Sequence, residues 1–336
     1  MKTRKPFALM IAIVLMAALL MTACGGAATT AATTAATTAA TTAATTAAAK
    51  NYTFGFSVKT LTNPFFVKIK DALEANAKPG DKIITLDSQN DVNKELSNVE
   101  DLIAQKVDAI FITCMDLNGS VNSINKILAA NIPVCILDSP SANRDKATFS
   151  VISDNVQAGY LAMKALDEAL EKGAPVVFYE NSTSAAVADR MIGRDKYIAE
   201  NPGCVTVVNK QNGKGAIDAA LEVMNNFLQA NPELKGGWGM NDPSAQGMIS
   251  ALRNNGKKAG DVIIVGIDGA AESVKLIKEG WQLGSSAQYP SSMGKQGIEE
   301  MYKVLAGGQP SKQDIRIATE WIDKSNVENY KAFNME

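Results

Sequence analysis

Short apolar runs alternate with amphipathic stretches from Tyr52 almost to the end of the chain, and this alternation narrows the possible folds more than any single motif. The spacing predicts strands at Tyr52–Val58, Lys82–Leu86, Ala109–Thr113 and Val134–Leu137, with helices near Pro64–Ala77, Val92–Gln105 and Val121–Ala130 between them. A second set opens with a strand at Thr148–Ile152 and a helix near Val156–Leu170. It continues with strands at Pro175–Tyr179, Val205–Val208, Gly237–Met240 and Val262–Ile267, each followed by a helix (near Ala185–Glu200, Gly215–Gln229, Ser244–Asn254 and Ala271–Glu279). A strand at Leu283–Gln288, a helix near Met293–Leu305 and one strand region near Ile315–Ile322 close the chain. Strand and helix alternating at this spacing means right-handed βαβ units, hence a parallel sheet with helices on both faces. There are too many units for one sheet, so the expected fold is α/β with two similar Rossmann-like lobes. Periodicity does not decide to which lobe the last helix returns.

Five polar residues stand directly behind five of these runs: Lys59, Asp138, Asn241, Asp268 and Gln288. In a parallel sheet those are carboxyl-end positions, and open α/β sheets bind ligands in the crevice outside the carboxyl ends of their strands. The expected chemistry is hydrogen bonding to a small molecule.

The beginning of the chain places it in the cell. Lys2, Arg4 and Lys5 precede an unbroken apolar run of 15 residues from Phe7 to Met21, followed by Thr22-Ala23-Cys24-Gly25. Charge, length and the small-residue ending are those of a secretory signal, and the run is short for a membrane span. Met21-Thr22-Ala23-Cys24 resembles the lipobox of bacterial lipoproteins, with methionine where leucine is usual. The expectation is therefore a signal peptide over 1–23, lipidation of Cys24, and a membrane reached through the lipid anchor only. From Gly25 to Ala49 the chain repeats Ala-Ala-Thr-Thr without charged, aromatic or large aliphatic residues, a composition expected to stay disordered as a stalk.

The remaining 287 residues, Lys50–Glu336, exceed one comfortable core, so two domains are expected. A net charge of −2 without a basic cluster argues against a nucleic-acid partner. The chain has no histidine, which removes the commonest general base and transition-metal ligand. Cys114, Cys135 and Cys204 form no Cys-x-x-Cys pair and read as buried free thiols, with one disulfide left open in an oxidising compartment. No metal and no cofactor are expected. No Gly-x-Gly-x-x-Gly follows any strand, which argues against a dinucleotide-binding enzyme.

The stretch Lys59-Thr60-Leu61-Thr62-Asn63-Pro64-Phe65-Phe66 carries a family resemblance. With Leu86-Asp87-Ser88-Gln89-Asn90, Ser153-Asp154-Asn155, Asn241-Asp242, Gly266-Ile267-Asp268-Gly269 and Ala287-Gln288-Tyr289-Pro290, it resembles the ribose- and allose-binding periplasmic proteins of sugar ABC transporters. The resemblance runs from Tyr52 to Phe333 in one order. It implies the periplasmic binding protein type I fold, two lobes joined by three crossover strands near Ile152–Asp154, Ala287–Tyr289 and Ile317–Thr319, with a sugar between them. The first lobe would comprise 50–153 and 289–317, so that the last helix returns to it, and the second 154–288 and 318–336. Asn63 and Asp138 would bond sugar hydroxyls from the first lobe, with Phe65 and Phe66 against the ring. Arg190, in the family's Arg-x-x-Gly pattern with Gly193, would join Asn241, Asp268 and Gln288 from the second lobe and the hinge. Lys59 occupies a position that is serine in ribose-type and lysine in allose-type members. Two departures put ribose itself in doubt: an arginine that follows the first-lobe aspartate is Ser139 here, and Gly213-Lys214-Gly215 stands where a second aromatic stacker is usual.

These residue types suit a neutral polyol. Asp138 and Asp268 accept from hydroxyls, Arg190 donates as a planar fork, and Asn63, Asn241 and Gln288 do both. Singly, each has an ordinary structural use: Asn63 before Pro64 as a helix cap, the aspartates as turn residues, the phenylalanines as core, Arg190 as a solvated charge. A glycosidase-like acid–base pair is disfavoured because Arg190 or Lys59 beside each aspartate is expected to hold its pKa low. The implied function is a monomeric, extracytoplasmic lipoprotein that delivers a sugar, a hexose sooner than ribose, to an ABC permease. A surface receptor that signals instead of transporting would share the same binding core.

Overall fold

The computed structural model describes residues 50–331 and residue 333, so the signal-like segment, Cys24 and the Ala/Thr stretch lie outside the described residues. The chain first lays down β1 (Thr53–Val58), α1 (Pro64–Asn76), β2 (Lys82–Asp87), α2 (Val92–Ala104), β3 (Ala109–Ile112), α3 (Val121–Ala129), β4 (Val134–Leu137) and β5 (Phe149–Ser153). It then makes α4 (Asn155–Glu168), β6 (Ala174–Glu180), α5 (Ala185–Glu200), β7 (Val205–Asn212), α6 (Ile217–Ala230), β8 (Gly236–Gly239), α7 (Asp242–Asn254), β9 (Ile263–Asp268), α8 (Ala271–Glu279) and β10 (Gly284–Ala287). Last come α9 (Pro290–Leu305), β11 (Asp314–Ile317) and β12 (Glu320–Asp323).

Among the described residues the strands form two six-stranded sheets, ordered β11-β5-β4-β3-β1-β2 and β12-β10-β9-β8-β6-β7. Pairing is parallel except for β12, which runs antiparallel to β10. β3 and β4 are buried at every position, as strands covered on both faces must be, and both read as uninterrupted apolar runs. Two clusters fill the first lobe, one around Phe54, Phe56 and Phe111 and one around Leu102, Ile110 and Ile124. The second lobe packs around Trp238, Tyr179 and Phe227.

The chain passes between the sheets at Asp154, at Gln288-Tyr289 and at Ala318-Thr319. Two groupings made from periodicity change here. The strand expected to open the second set, β5, pairs with β4 and β11 in the first sheet. The single terminal region Ile315–Ile322 is two strands in different sheets, because the chain crosses between lobes within it. The last helix, α9, packs on α1 and so returns to the first lobe. Cys114, Cys135 and Cys204 are free and buried, which closes the disulfide alternative for these three.

A close approach of α4 and α5 sets up the site. A Cβ on Gly159 would stand 1.8 Å from the Arg190 carbonyl oxygen, and one on Gly193 1.9 Å from that of Val156. Only glycine lets the two backbones touch at both points, which is the physical reason for the glycine three residues after Arg190.

Candidate ligand site between the two lobes

The strand ends bring side chains from both lobes together. Lys59 follows β1, Asp138 follows β4, Gln288 follows β10, Asp268 is the last residue of β9, and Asn241 stands two residues beyond β8. Asp138, Arg190, Asp268 and Gln288 are all at least 96 % buried, while Lys59, Asn63 and Asn241 are partly exposed. The lobes also touch outside this set: the Leu117 N–H donates to the Thr183 carbonyl at 2.8 Å, and Arg316 faces Asp189 at 3.9 Å.

Arg190 is the centre of the second-lobe half. Its Nε donates to Asn155 Oδ1 at 2.8 Å and its Nη1 to the Met240 carbonyl at 2.7 Å, leaving Nη2 3.7 Å from Asp268 Oδ1. Gln288 Nε2 donates to that same Asp268 oxygen at 2.7 Å. The planar guanidinium is thus fixed on two sides by protein and aimed with the third at a carboxylate. Asn155 was not singled out as a site residue from the sequence, although it ends the Ser153-Asp154-Asn155 motif.

The backbone is strained where the two carboxylates sit. Asp138 has φ 63° and Asp268 φ 142°, left-handed conformations costly for a side-chain-bearing residue and held only where the surroundings over-determine them. Around Asp268 those surroundings are visible. Asp242, itself fully buried, accepts from the Ala270 N–H at 2.7 Å, from Ser285 Oγ at 2.8 Å and from Gln282 Nε2 at 3.1 Å. Ser285 Oγ accepts from the Gly269 N–H at 3.0 Å.

Electrostatics ties the halves together and overturns one expectation. Burial pushes the Asp138 carboxyl up, and Arg190 and Lys59 only partly oppose it. Burial, with Asp242 and Asp138 adding to it against Arg190 and Gln288, drives Asp268 to about 8. The cations therefore do not hold these carboxylates low, because each charge has lost more hydration than its neighbours restore. Burial also lowers Lys59, against the pull of Asp138, Cys114 and Glu95. Glu95, fully buried, accepts from the Met115 N–H at 2.7 Å and from Ser120 Oγ at 2.9 Å. No feature of the sequence had marked it.

Several predicted residues serve structure as well. Asn63 caps α1 by accepting from the Phe65 N–H at 3.0 Å. Phe65 and Phe66, 2 % and 7 % exposed, pack edge to face at 5.4 Å within the first-lobe core. Asn241 caps α7 through the Ser244 N–H at 3.0 Å and donates to the Gly215 carbonyl at 3.1 Å. Gly213, in the segment without an aromatic stacker, sits against Tyr179, whose hydroxyl donates to the Lys214 carbonyl at 2.6 Å.

Among the described residues, four buried oxygens at the cleft and hinge have no hydrogen-bond partner: Asp138 Oδ1, Gln288 Oε1, Ser139 Oγ and Ser153 Oγ. Two are pure acceptors, so the arrangement asks for donors. Two surface cavities of about 310 and 390 Å³ lie elsewhere, beside Trp321 and Trp281 at the amino ends of β9 and β10, and include none of these groups. No cluster of metal-ligating side chains occurs among the described residues, and none of their helices is long and apolar enough to cross a membrane.

Comparison with known proteins bears on the same region. Residues 54–309 match the model of a periplasmic binding protein domain. The ribose import binding protein of Bacillus subtilis is 35 % identical over 264 residues, 78 % of this chain and 85 % of that protein. Among solved structures, an ABC transporter solute-binding protein from Bacillus halodurans with bound myo-inositol superposes with a TM-score of 0.78 at 28 % identity, covering 84 % of this chain and 98 % of the other. A periplasmic solute-binding protein from Actinobacillus succinogenes with bound D-allose gives 0.75 at 29 % identity, covering 83 % and 100 %. All three are binding proteins of transport systems, not enzymes.

Proposed function

The chain belongs to the periplasmic binding protein domain family, and on that premise we propose that it is an extracytoplasmic lipoprotein that closes on one neutral monosaccharide and presents it to an ABC permease. The observation that carries the reading is the set of unpartnered buried acceptors, Asp138 Oδ1 and Gln288 Oε1, beside the guanidinium of Arg190. A polyol brings donors to the first two and lone pairs to the third without bringing charge.

On this reading Lys59, Asn63 and Asp138 bond hydroxyls from the first lobe, Arg190, Asn241, Asp268 and Gln288 from the second lobe and hinge, and Phe65 and Phe66 present ring surface to C–H groups. The lobes divide as 50–153 with 289–317 and 154–288 with 318–336. Closure follows because the ligand meets both sets only in the shut form, so it shifts the population by its differential affinity. The relatives named above bind ribose, allose and myo-inositol. On this reading the short Ser139, where ribose-type relatives are expected to carry a long cation, favours the larger hexose over ribose.

Calorimetry of residues 50–336 with pentoses, hexoses and inositols tests this. A monosaccharide bound at micromolar affinity, about 8 kcal/mol, is expected. Absence of heat and of any melting shift across the panel would end the sugar reading. The anchor is tested separately: Cys24→Ser in the full chain should abolish acylation by labelled fatty acid and release the protein from the membrane fraction.

A further inference from the structure

The end of the chain contacts both halves of the site from behind. After β12, Val327 packs with Ile277, Ala287 and Ile322 on the second lobe. The Tyr330 hydroxyl then donates to the Gly269 carbonyl at 3.0 Å and accepts from the Phe333 N–H at 3.3 Å. Phe333, 3 % exposed, sets its ring edge to face with Phe65 at 5.9 Å, inside the cluster that also holds Ala270 and Tyr289. The tail thus runs from the second lobe to the first, a fourth link beside the three crossovers.

We propose that Tyr330 and Phe333 are positioning residues of the binding site, a strap that clips the Asp268 turn of one lobe to the Phe65 end of α1 in the other. The Gly269–Ala270 peptide group explains how. Its carbonyl is held by Tyr330 and its N–H by Asp242, which clamps the second peptide plane beyond Asp268; the first, Asp268–Gly269, is held by the Gln288 N–H on its carbonyl and by Ser285 Oγ on its N–H, and together they keep Asp268 at φ 142° with its carboxylate toward Arg190 and Gln288. Gly269 admits this contact because a Cβ there would stand 2.2 Å from the Tyr330 oxygen. On the first lobe, Phe333 packs edge to face against Phe65, which packs in the same way against Phe66. The strap meets no ligand atom. Its effect is on how far the closed register is populated before ligand arrives, and a ligand's apparent affinity falls by that fraction.

The inference rests on the sugar reading, and one experiment separates the two. Tyr330→Phe removes a single oxygen and keeps the ring; Phe333→Ala removes the buttress; Phe333→Tyr restores it. For the sugar that the unaltered protein binds best, the first two variants should bind at least about five-fold more weakly, with the order of preference among sugars unchanged, and Phe333→Tyr should bind normally. Exchange of the Ala270 amide with deuterium, measured without sugar, should rise at least about ten-fold in Tyr330→Phe. Unchanged affinity with unchanged exchange in Tyr330→Phe overturns the strap. Should the unaltered protein bind no sugar, the functional reading falls, and the exchange result alone decides for or against the strap.

Discussion

Sugar binding should release a proton. In the ligand-free protein burial raises Asp268 to about 8, so below that pH the carboxyl is neutral. Hydroxyls donating to it favour the charged form and draw its pKa back toward the ordinary carboxylate value of 3.8. At pH 6.5 the free group is about 97 % protonated, and binding should expel close to one proton. Affinity should then rise with pH by up to one decade per unit, about 50-fold or ~2.3 kcal/mol between pH 6 and 8, and level off above. Asp138 is shifted in the same direction, by burial against Arg190 and Lys59. The sign for stability is opposite. Between the unfolded value near 4 and the folded value near 8 the native protein holds a proton that the unfolded chain lacks, so ligand-free stability falls as pH rises through that window. Calorimetry at pH 6.5 in buffers of different ionisation heat counts the protons directly. Asp268→Asn should abolish most of the release. Zero release in the unaltered protein, or a flat affinity from pH 6 to 8, would refute the reasoning.

Other outcomes follow from the same geometry. Arg190→Ala leaves Asn155 Oδ1 and the Met240 carbonyl without their donor and Asp268 without its cation, and should weaken sugar binding by about 30- to 3,000-fold by calorimetry; Arg190→Lys should not restore it, since one ammonium cannot serve three directions. Gly193→Ala forces α4 and α5 apart at the Val156 carbonyl, and should cost about 3 kcal/mol, seen as a melting temperature lower by about 6–12 °C. Burial raises the thiols of Cys114, Cys135 and Cys204, so an aromatic disulfide reagent at pH 8 should titrate none of the three in the native body and all of them in guanidinium.

The architecture was legible because its cause is periodic. βαβ spacing reveals parallel sheets whatever the residues in detail, and the polar residue behind each strand marks the functional edge. Where the chain changes lobes is not periodic, which is why β5 was grouped with the wrong set and β11 and β12 were merged. The side chains proposed for the site could be listed from the sequence, and their chemistry could be read much less well. Arg190 looks from the sequence like any helix cation, and only the close approach of Gly159 to the Arg190 backbone and of Gly193 to Val156 shows why it is buried. The ionisation of Asp138 and Asp268 was expected with the wrong sign, because proximity to a cation can be inferred from the order of motifs while the competing loss of hydration depends on packing. Glu95 and Tyr330 left no signal, and Asp242 stood only as the second letter of Asn241-Asp242, since a buried carboxylate or tyrosine is written with the same letter as an exposed one.

The most direct test is the crystal structure of residues 50–336 with the sugar that copurifies or binds best. The account predicts one monosaccharide whose hydroxyls meet Asp138 from the first lobe and Asp268 and Arg190 from the second at the same time, with Phe65 or Phe66 against its C–H face. A ligand held by one lobe alone, or seated in the cavity beside Trp321, would contradict it.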